Sequence, residues 1–354
     1  MYVYLFDEGS SNLRDLLGGK GADLAEMIRL GLPIPLGMTV TTEVCNYYNS
    51  HNNKFPEGME QEVLSKLKNL ESRTGRIFGD PKNPLLLSIR SGAPISMPGM
   101  MDTVLNLGLN DQTIKGLIEL TNNDRFAYDC FRRFVQMFGN VVLGVPGDKF
   151  EAIIQRHKDE LKVKLDVDLG TKTLAAIVQE FKELIKQEKQ QPFPDDPLSQ
   201  LWMAIAAVFR SWNGKRAKIY RQANDIPDTL GTAVNIQSMV FGNIGLESGT
   251  GVCFTRNPST GEPVLYGEFL MNAQGEDVVA GTRTPQPISQ LAHELPHDYR
   301  RLVSICALLS ITSKTCKTLN SRLRTGHSIF FKLAPANVPH QPRSELRWTW
   351  YGKA

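Results

Sequence analysis

The stretch LLLSIRSGAPISMPGMMDT, residues 85–103, opens as an apolar strand over Leu85 to Arg90 and passes directly into a loop of small residues. An arginine at a strand's end suits a polyphosphate, because its guanidinium donates through a rigid, permanently charged fork. The tip, Ser96-Met97-Pro98-Gly99-Met100-Met101, combines apolar side chains with a Pro-Gly pair and reads as a mobile flap. A plain connecting loop is the alternative. It would rarely gather arginine, glycine, serine and apolar tip residues together.

Two other stretches lean the same way. Gly18-Gly19-Lys20-Gly21 lies after the short apolar strand Tyr2 to Phe6 and before a helix over Ala22 to Leu30. Glycines let backbone N–H groups approach an anion, a helix N-terminus is electropositive, and lysine adds charge. This is not G-x-x-x-x-G-K-[ST], and a tight turn explains it equally well. In GLESGTGVCFTRNPSTGEPVLYGEFLMNAQGEDVVAG, residues 245–281, Ser248-Gly249-Thr250-Gly251 reads as a phosphate-type turn before a strand. Glu276-Asp277 could meet ribose hydroxyls or a metal; a solvated hairpin with surface acids is the alternative. Three anion-friendly elements in one chain favour a single nucleotide site.

The chain alternates in character. Leu36 to Thr41 reads as a strand and Met59 to Ile77 as a helix. From about 110 to 191, Phe126, Cys130, Phe131, Phe134, Val135 and Phe138 recur at helical spacing, as do Leu174, Ile177, Val178, Phe181, Leu184 and Ile185. These stripes read as core, with Asp124 and Thr171 as N-caps. QQPFPDDP, 190–197, is a linker, and Trp202 to Arg221 is helical again. AVNIQSMVF, GVCFT and PVLYGEFL then read as strands between glycine-rich turns. Helices and strands in blocks, rather than regular βαβ units, give an α+β class.

Of 354 residues, 41% are hydrophobic and 22% charged, which excludes a disordered, collagenous or rod-like chain. No uninterrupted apolar run approaches a membrane span, and the acidic MYVYLFDEGSSN start resembles no leader, so a cytoplasmic protein is expected. The five cysteines at 45, 130, 253, 306 and 316 form no CxxC pair and read as buried thiols. The net charge of +3 comes from the tail: residues 310–354 hold eight Lys/Arg and one acid, leaving 32 basic and 36 acidic residues before them. No nucleic-acid surface is expected on the main body. HELPH at 293–297 matches the zinc pattern H-E-x-x-H, but Pro296 breaks the turn that pattern needs and fits the start of a new helix.

The motifs LLGGKGADLAEM, LSIRSGAPISMPGMMDTVLNLGLND, FAYDCFRRFVQMF, GTAVNIQSMVFGN, SGTGVCFTRNPSTGE and NAQGEDVVAGTRTPQPI, long and in order, resemble the N-terminal part of the pyruvate, phosphate dikinase family over residues 2–309. Phosphoenolpyruvate synthase-like enzymes share the fold, but the RNPSTGE and GEDVVAGTRTPQPI wording is closer to the dikinases.

The resemblance implies an ATP-grasp fold of two lobes with a helical insertion. Residues 1–110 and 192–240 would form the first lobe, 111–191 the insertion and 241–309 an incomplete second lobe; 310–354 would be an irregular, disordered tail. It also implies conversion of ATP, phosphate and pyruvate to AMP, pyrophosphate and phosphoenolpyruvate, with Mg²⁺. The ATP and inorganic-phosphate half-reaction would phosphorylate a histidine on a swivelling domain, and a pyruvate-binding barrel would complete the cycle. Both partners lack a counterpart here, and none of the six histidines lies in the family's phosphohistidine motif. A homodimer and the absence of nucleic-acid or membrane partners are also implied. Carried over by motif, Lys20 contacts the phosphates and Arg90 neutralises charge on the transferred group. Gly99, Met100 and Met101 form the loop over the polyphosphate, and Gln237 to Val240, Met239 included, line the adenine pocket. Thr250 and Glu276 contact phosphates and ribose. Pro94-Ile95 replaces a basic residue common in the family.

After residue 309 the resemblance stops. Where the family continues with an acidic D-x-E-F strand and an L-Y-F-L-Q-T-R strand, an ungapped reading puts Thr318 and Asn320 at the acidic positions, so no metal-binding residue is assigned. Back-translating Ser313 to Ser321 with permitted codons, and reading from the third base, gives K-D-M-Q-D-I-E-F. The same exercise from Gly326 to Pro342 gives T-L-Y-F-L-Q-T-R-P-G-Q-R-T-A-P-A. Loss of one nucleotide near codon 309 or 310 accounts for both. The expected consequence is an inactive chain whose second lobe lacks its closing strands. A non-catalytic ATP-binding remnant is the alternative function.

Overall fold

The computed structural model describes residues 1–246, 248–280, 283–312, 317–324 and 328–335; for 276, 279, 280, 310–312, 317–324 and 328–335 it describes the backbone. By contact the chain forms two compact units, Met1–Leu5 with Leu36–Met239, and Phe6–Pro35 with Val240–Ala354.

The first unit is built on five antiparallel strands, β1 (Val3–Leu5), β2 (Gly37–Val40), β3 (Leu87–Gly92), β4 (Thr103–Leu107) and β5 (Ala233–Ser238), in the order β1-β2-β5-β3-β4. Opposed residues of antiparallel strands share a face, so the register sorts the side chains. One face carries Val3, Leu5, Met38, Val40, Val234, Ile236, Leu87, Ile89 and Val104. The other carries Tyr4, Thr39, Asn235, Arg90 and Thr103 in one row, with Gln237 and Ser88 in the next. The apolar face accounts for why this sheet forms. The polar face bears on function.

The helices of this unit follow the apolar stripes. Asp124–Met137 and Thr171–Lys189 bury Phe126, Cys130, Phe131, Phe134, Val135, Leu174, Ile177, Val178, Phe181 and Ile185; Leu184 is half-buried, and Phe138, in the π-helical turn Phe138–Val142 that follows the first helix, is buried too. Phe150 and Phe181 meet edge-on at 4.9 Å, and Phe134, Phe138 and Phe193 form a second edge-on group. The N-caps differ from expectation. Asn123, not Asp124, accepts the N–H of Phe126 at 3.0 Å, and Gly170 precedes the helix that starts at Thr171. The expected helix over 202–221 is two, Pro197–Trp212 and Lys215–Ala223, divided at Asn213-Gly214.

Asp129 is buried against Arg132 at 3.0 Å and Arg133 at 2.9 Å. Burial alone would raise its carboxyl's pKa; the Arg133 and Arg132 guanidinium groups override that and hold it well below the ordinary value of 3.8. The ion-paired carboxylate therefore stabilises the fold at any pH above that value, and its contribution is lost as pH falls below it. Asp129→Ala is expected to cost about 3 kcal/mol, since it removes the buried carboxylate between Arg132 and Arg133 and leaves Arg132 with the half-exposed Asp166 at 3.2 Å and the neutral Gln136 Oε1 at 3.2 Å. Thermal melts at pH 7 and below pH ~4 check this: the deficit should shrink in acid.

The second unit holds a sheet in the order β10-β9-β6-β7-β8: β6 (Gly249–Phe254), β7 (Tyr266–Met271), β8 (Gln286–Pro287), β9 (Lys317–Arg324) and β10 (Ser328–Pro335). Its core joins Phe6, Leu24, Met27, Leu32 and Ile34 to Val252, Phe269, Leu270, Leu291, Leu302 and Leu309. The sequence grouping of 1–110 with 192–240 therefore differs from the contact grouping for Phe6–Pro35. The Leu24/Met27 face of that segment is buried among residues of β6 and β7. At Gly267 a Cβ would lie 2.0 Å from the Val252 carbonyl oxygen, so glycine is what lets β7 lie against β6.

Within the tail, 317–324 and 328–335 are strands. β9 pairs with β6 at Cys253↔Leu319 and Phe254↔Thr318, and β10 pairs with β9 along its length. Runs such as Ile329-Phe330-Phe331 favour strand whatever their origin. The rest of that tail lies outside the described residues. Pro296 opens the helix Pro296–Thr312, after Leu295 breaks the short helix Leu291–Glu294, as its place in HELPH implied. Among the described residues no helix is long and apolar enough to cross a membrane.

Candidate functional site

In the first unit the site begins with Arg90. It is opposed by Asn235 on β5 and Thr103 on β4, and it is half-buried where β3 runs toward the loop. Asn235 and Thr39 are 2% and 1% exposed, and the Thr39 hydroxyl donates to Asn235 Oδ1 at 2.9 Å. Gln237 is buried on the same face, two residues along β5, with its carbonyl accepting from Ser88 Oγ at 3.3 Å. The Met239 N–H donates to the Leu86 carbonyl at 2.8 Å, which carries the strand pairing past the end of β5. The face thus carries amide, hydroxyl and guanidinium groups side by side, and of these the buried Asn235 Nδ2 has no hydrogen-bond partner.

The loop between β3 and β4 presents Gly99 at its exposed tip, with φ +70° and open space where a Cβ would stand. Met100 and Met101 are half-buried, and the Met100 N–H donates to the Met97 carbonyl at 3.3 Å. Met97, expected in the mobile tip, is buried and anchors it. Asp102, which the sequence reading passed over, closes the loop. Its N–H donates to Ser211 Oγ at 3.4 Å and its carboxylate lies 3.8 Å from Arg216. Burial pushes that carboxyl's pKa above the ordinary range, with Arg216 and Arg210 acting against the shift.

In the second unit Lys20 lies in the helix Arg14–Arg29, which breaks at Gly18, where φ 68° and ψ 169° are not helical. A positive φ suits glycine. Lys20 therefore stands in the first turn after the break. Arg14 and Asp23 bridge the break at 2.5 Å. Thr250 is buried, but Gly249, Thr250 and Gly251 are the opening residues of β6, paired with Met271, Leu270 and Phe269. The expected turn there is a strand, since Leu270 and Phe269 supply an apolar partner. Glu276 belongs to the helix Gly275–Ala280 and its side chain lies outside what is described. The Asp277 carboxylate accepts the Gln274 N–H at 2.8 Å, the ordinary role of an acid at a helix start. Val240 is buried and begins this unit, so the stretch Gln237 to Val240 spans the crossing from one unit to the other.

Among the described residues no group of three or more His, Cys, Asp or Glu could hold a divalent cation, and sequence positions 318 and 320 are threonine and asparagine. Cys45, Cys130, Cys253 and Cys306 are buried and unpaired by disulfide; burial pushes the Cys45 thiol up to about 11, which leaves it unreactive. Cys316 lies outside the described residues.

Comparison with known proteins matches residues 14–76 and 51–319 to the family model "Pyruvate phosphate dikinase, AMP/ATP-binding domain". The chain is 49% identical over 332 residues to pyruvate, phosphate dikinase of Clostridium symbiosum, covering 94% of this chain and 38% of that one. It is 54% identical over 302 residues to pyruvate, phosphate dikinase 1, chloroplastic, of Arabidopsis thaliana, covering 85% and 31%. To pyruvate, phosphate dikinase of Entamoeba histolytica it is 51% identical over 307 residues, covering 86% and 35%. The chain thus spans about a third of the length of these relatives.

Proposed function

The chain belongs to the pyruvate phosphate dikinase AMP/ATP-binding domain family, and from that premise we propose that it is an ATP-grasp domain that binds ATP. In a complete enzyme this domain would run the ATP and phosphate half-reaction, passing a phosphoryl group to a histidine on another domain. The observation that carries the reading is the polar row Thr39, Asn235, Arg90 on the first sheet, with Gln237 one step along. It gathers donors and a permanent cation on one sheet face, the chemistry a triphosphate requires. Lys20, in the first turn after Gly18, is a further proposed phosphate contact. The Gly99–Met101 loop covers the phosphates, backbone groups of Gln237 to Val240 read the adenine, and Thr250 and Glu276 complete the contacts. A cytoplasmic setting, a homodimer, and a phosphohistidine domain and pyruvate-binding barrel as partners belong to the same proposal.

Because residues 318 and 320 carry no carboxylate, the chain as it stands fits binding better than turnover, and no step through Mg²⁺ is assigned to it. That feature favours the remnant reading for this chain. Titration calorimetry with ATP and with AMP tests the proposal. Saturable binding with ATP tighter than AMP is expected; failure of ATP to saturate at millimolar concentration would overturn it.

A further inference from the structure

Asn235 and Arg90 stand directly opposite one another on β5 and β3, so their side chains leave the sheet on the same face. Thr39, opposite Asn235 on the other side, fixes the amide by donating its hydroxyl proton to Oδ1 at 2.9 Å. That leaves Asn235 Nδ2 facing away from Thr39, closed to water and without a hydrogen-bond partner. A buried amide donor without an acceptor costs about 1–3 kcal/mol, and native structures retain few of them. Those that persist call for an explanation, and an acceptor brought by a ligand is one.

We propose that Asn235 is a further ligand-contact residue. Its Nδ2 donates to an anionic oxygen of the nucleotide's phosphate chain, and Thr39 acts as the positioning residue that sets the amide's orientation. The inference rests on the ATP reading above. A phosphate oxygen is preferred to a base nitrogen because the neighbouring member of the row is a guanidinium. A donor beside a permanent cation matches a group that only accepts and carries negative charge. The sequence reading assigned no role to either residue.

Asn235→Asp tests the proposal in the full chain. A carboxylate still accepts from Thr39, so the fold is retained, but it presents an oxygen where Nδ2 had presented a donor. ATP affinity is expected to fall about tenfold or more, with adenosine affinity within about twofold of the parent. The double variant Thr39→Val/Asn235→Leu replaces the pair by apolar groups of similar shape. It is expected to keep the parent's thermal midpoint without nucleotide, yet to lose ATP affinity about tenfold. If Asn235→Asp does not fold, the double variant decides. Parent-like ATP affinity in the folded variants overturns the inference, since a purely structural pair would move only the melt. A parent chain that binds ATP beside unaffected variants sinks this inference alone, whereas a parent that does not bind ATP sinks the functional reading with it.

Discussion

Replacing Lys20 by methionine is expected to weaken ATP binding about 10- to 100-fold while leaving adenosine binding unchanged. The substitution keeps the length and apolar stem of the side chain and removes its charge. Lys20 stands in the first turn after the Gly18 break, near the electropositive start of the helical segment that follows. An anion there meets both backbone dipoles and an ammonium. Losing the ammonium removes a charge-assisted hydrogen bond of about 1.5–3 kcal/mol, which converts to the stated range. Calorimetric titrations with ATP and adenosine separate the two contributions. Equal losses for both ligands would mean that Lys20 supports the fold of its helix rather than the phosphates.

Inserting one nucleotide near codon 309 is expected to raise Mg²⁺-dependent ATP affinity about tenfold or more, relative to the chain as it stands. The alternative frame writes D-I-E-F across β9 and L-Y-F-L-Q-T-R across β10, the two segments that the fold already shapes as strands. Acids two residues apart share a face of β9, so both could meet one cation. In the present frame those positions are Thr318 and Asn320, neither of which binds Mg²⁺ strongly. Titrations with and without Mg²⁺, on both frames, give the comparison. DNA that lacks the D-I-E-F and L-Q-T-R codons in the alternative frame would end the frameshift account outright.

What the sequence made legible depended on whether a pattern had a local cause. The Phe126 and Leu174 stripes have 3.6-residue periodicity and a buried face, and they became helices as read. AVNIQS alternates Val234 and Ile236 with Asn235 and Gln237, so its strand was legible. The burial of its polar side was not, because that depends on a tertiary neighbour. The helix Thr42–Ser50 escaped notice because Val44, Tyr47 and Tyr48 favour strand locally; packing of Val44, Cys45 and Tyr48 overrides that preference. The Ser248 to Gly251 run looked like a turn by composition and is a strand because β7 pairs with it. The Gly18 break was read as a tight loop, and its positive φ is the physical content of that reading. In the tail the departure from the family's wording gave no local pattern to read, and the backbone of 317–324 and 328–335 is strand because β pairing asks for strand-compatible backbone and not for particular side chains.

The most direct measurement is a crystal structure of this chain with a non-hydrolysable ATP analogue. The account predicts the triphosphate within hydrogen-bonding distance of Lys20 and Arg90, with the adenine against Gln237 to Val240. An analogue bound away from Arg90, or one that leaves Lys20 and Arg90 on different surfaces with no shared ligand, would contradict it.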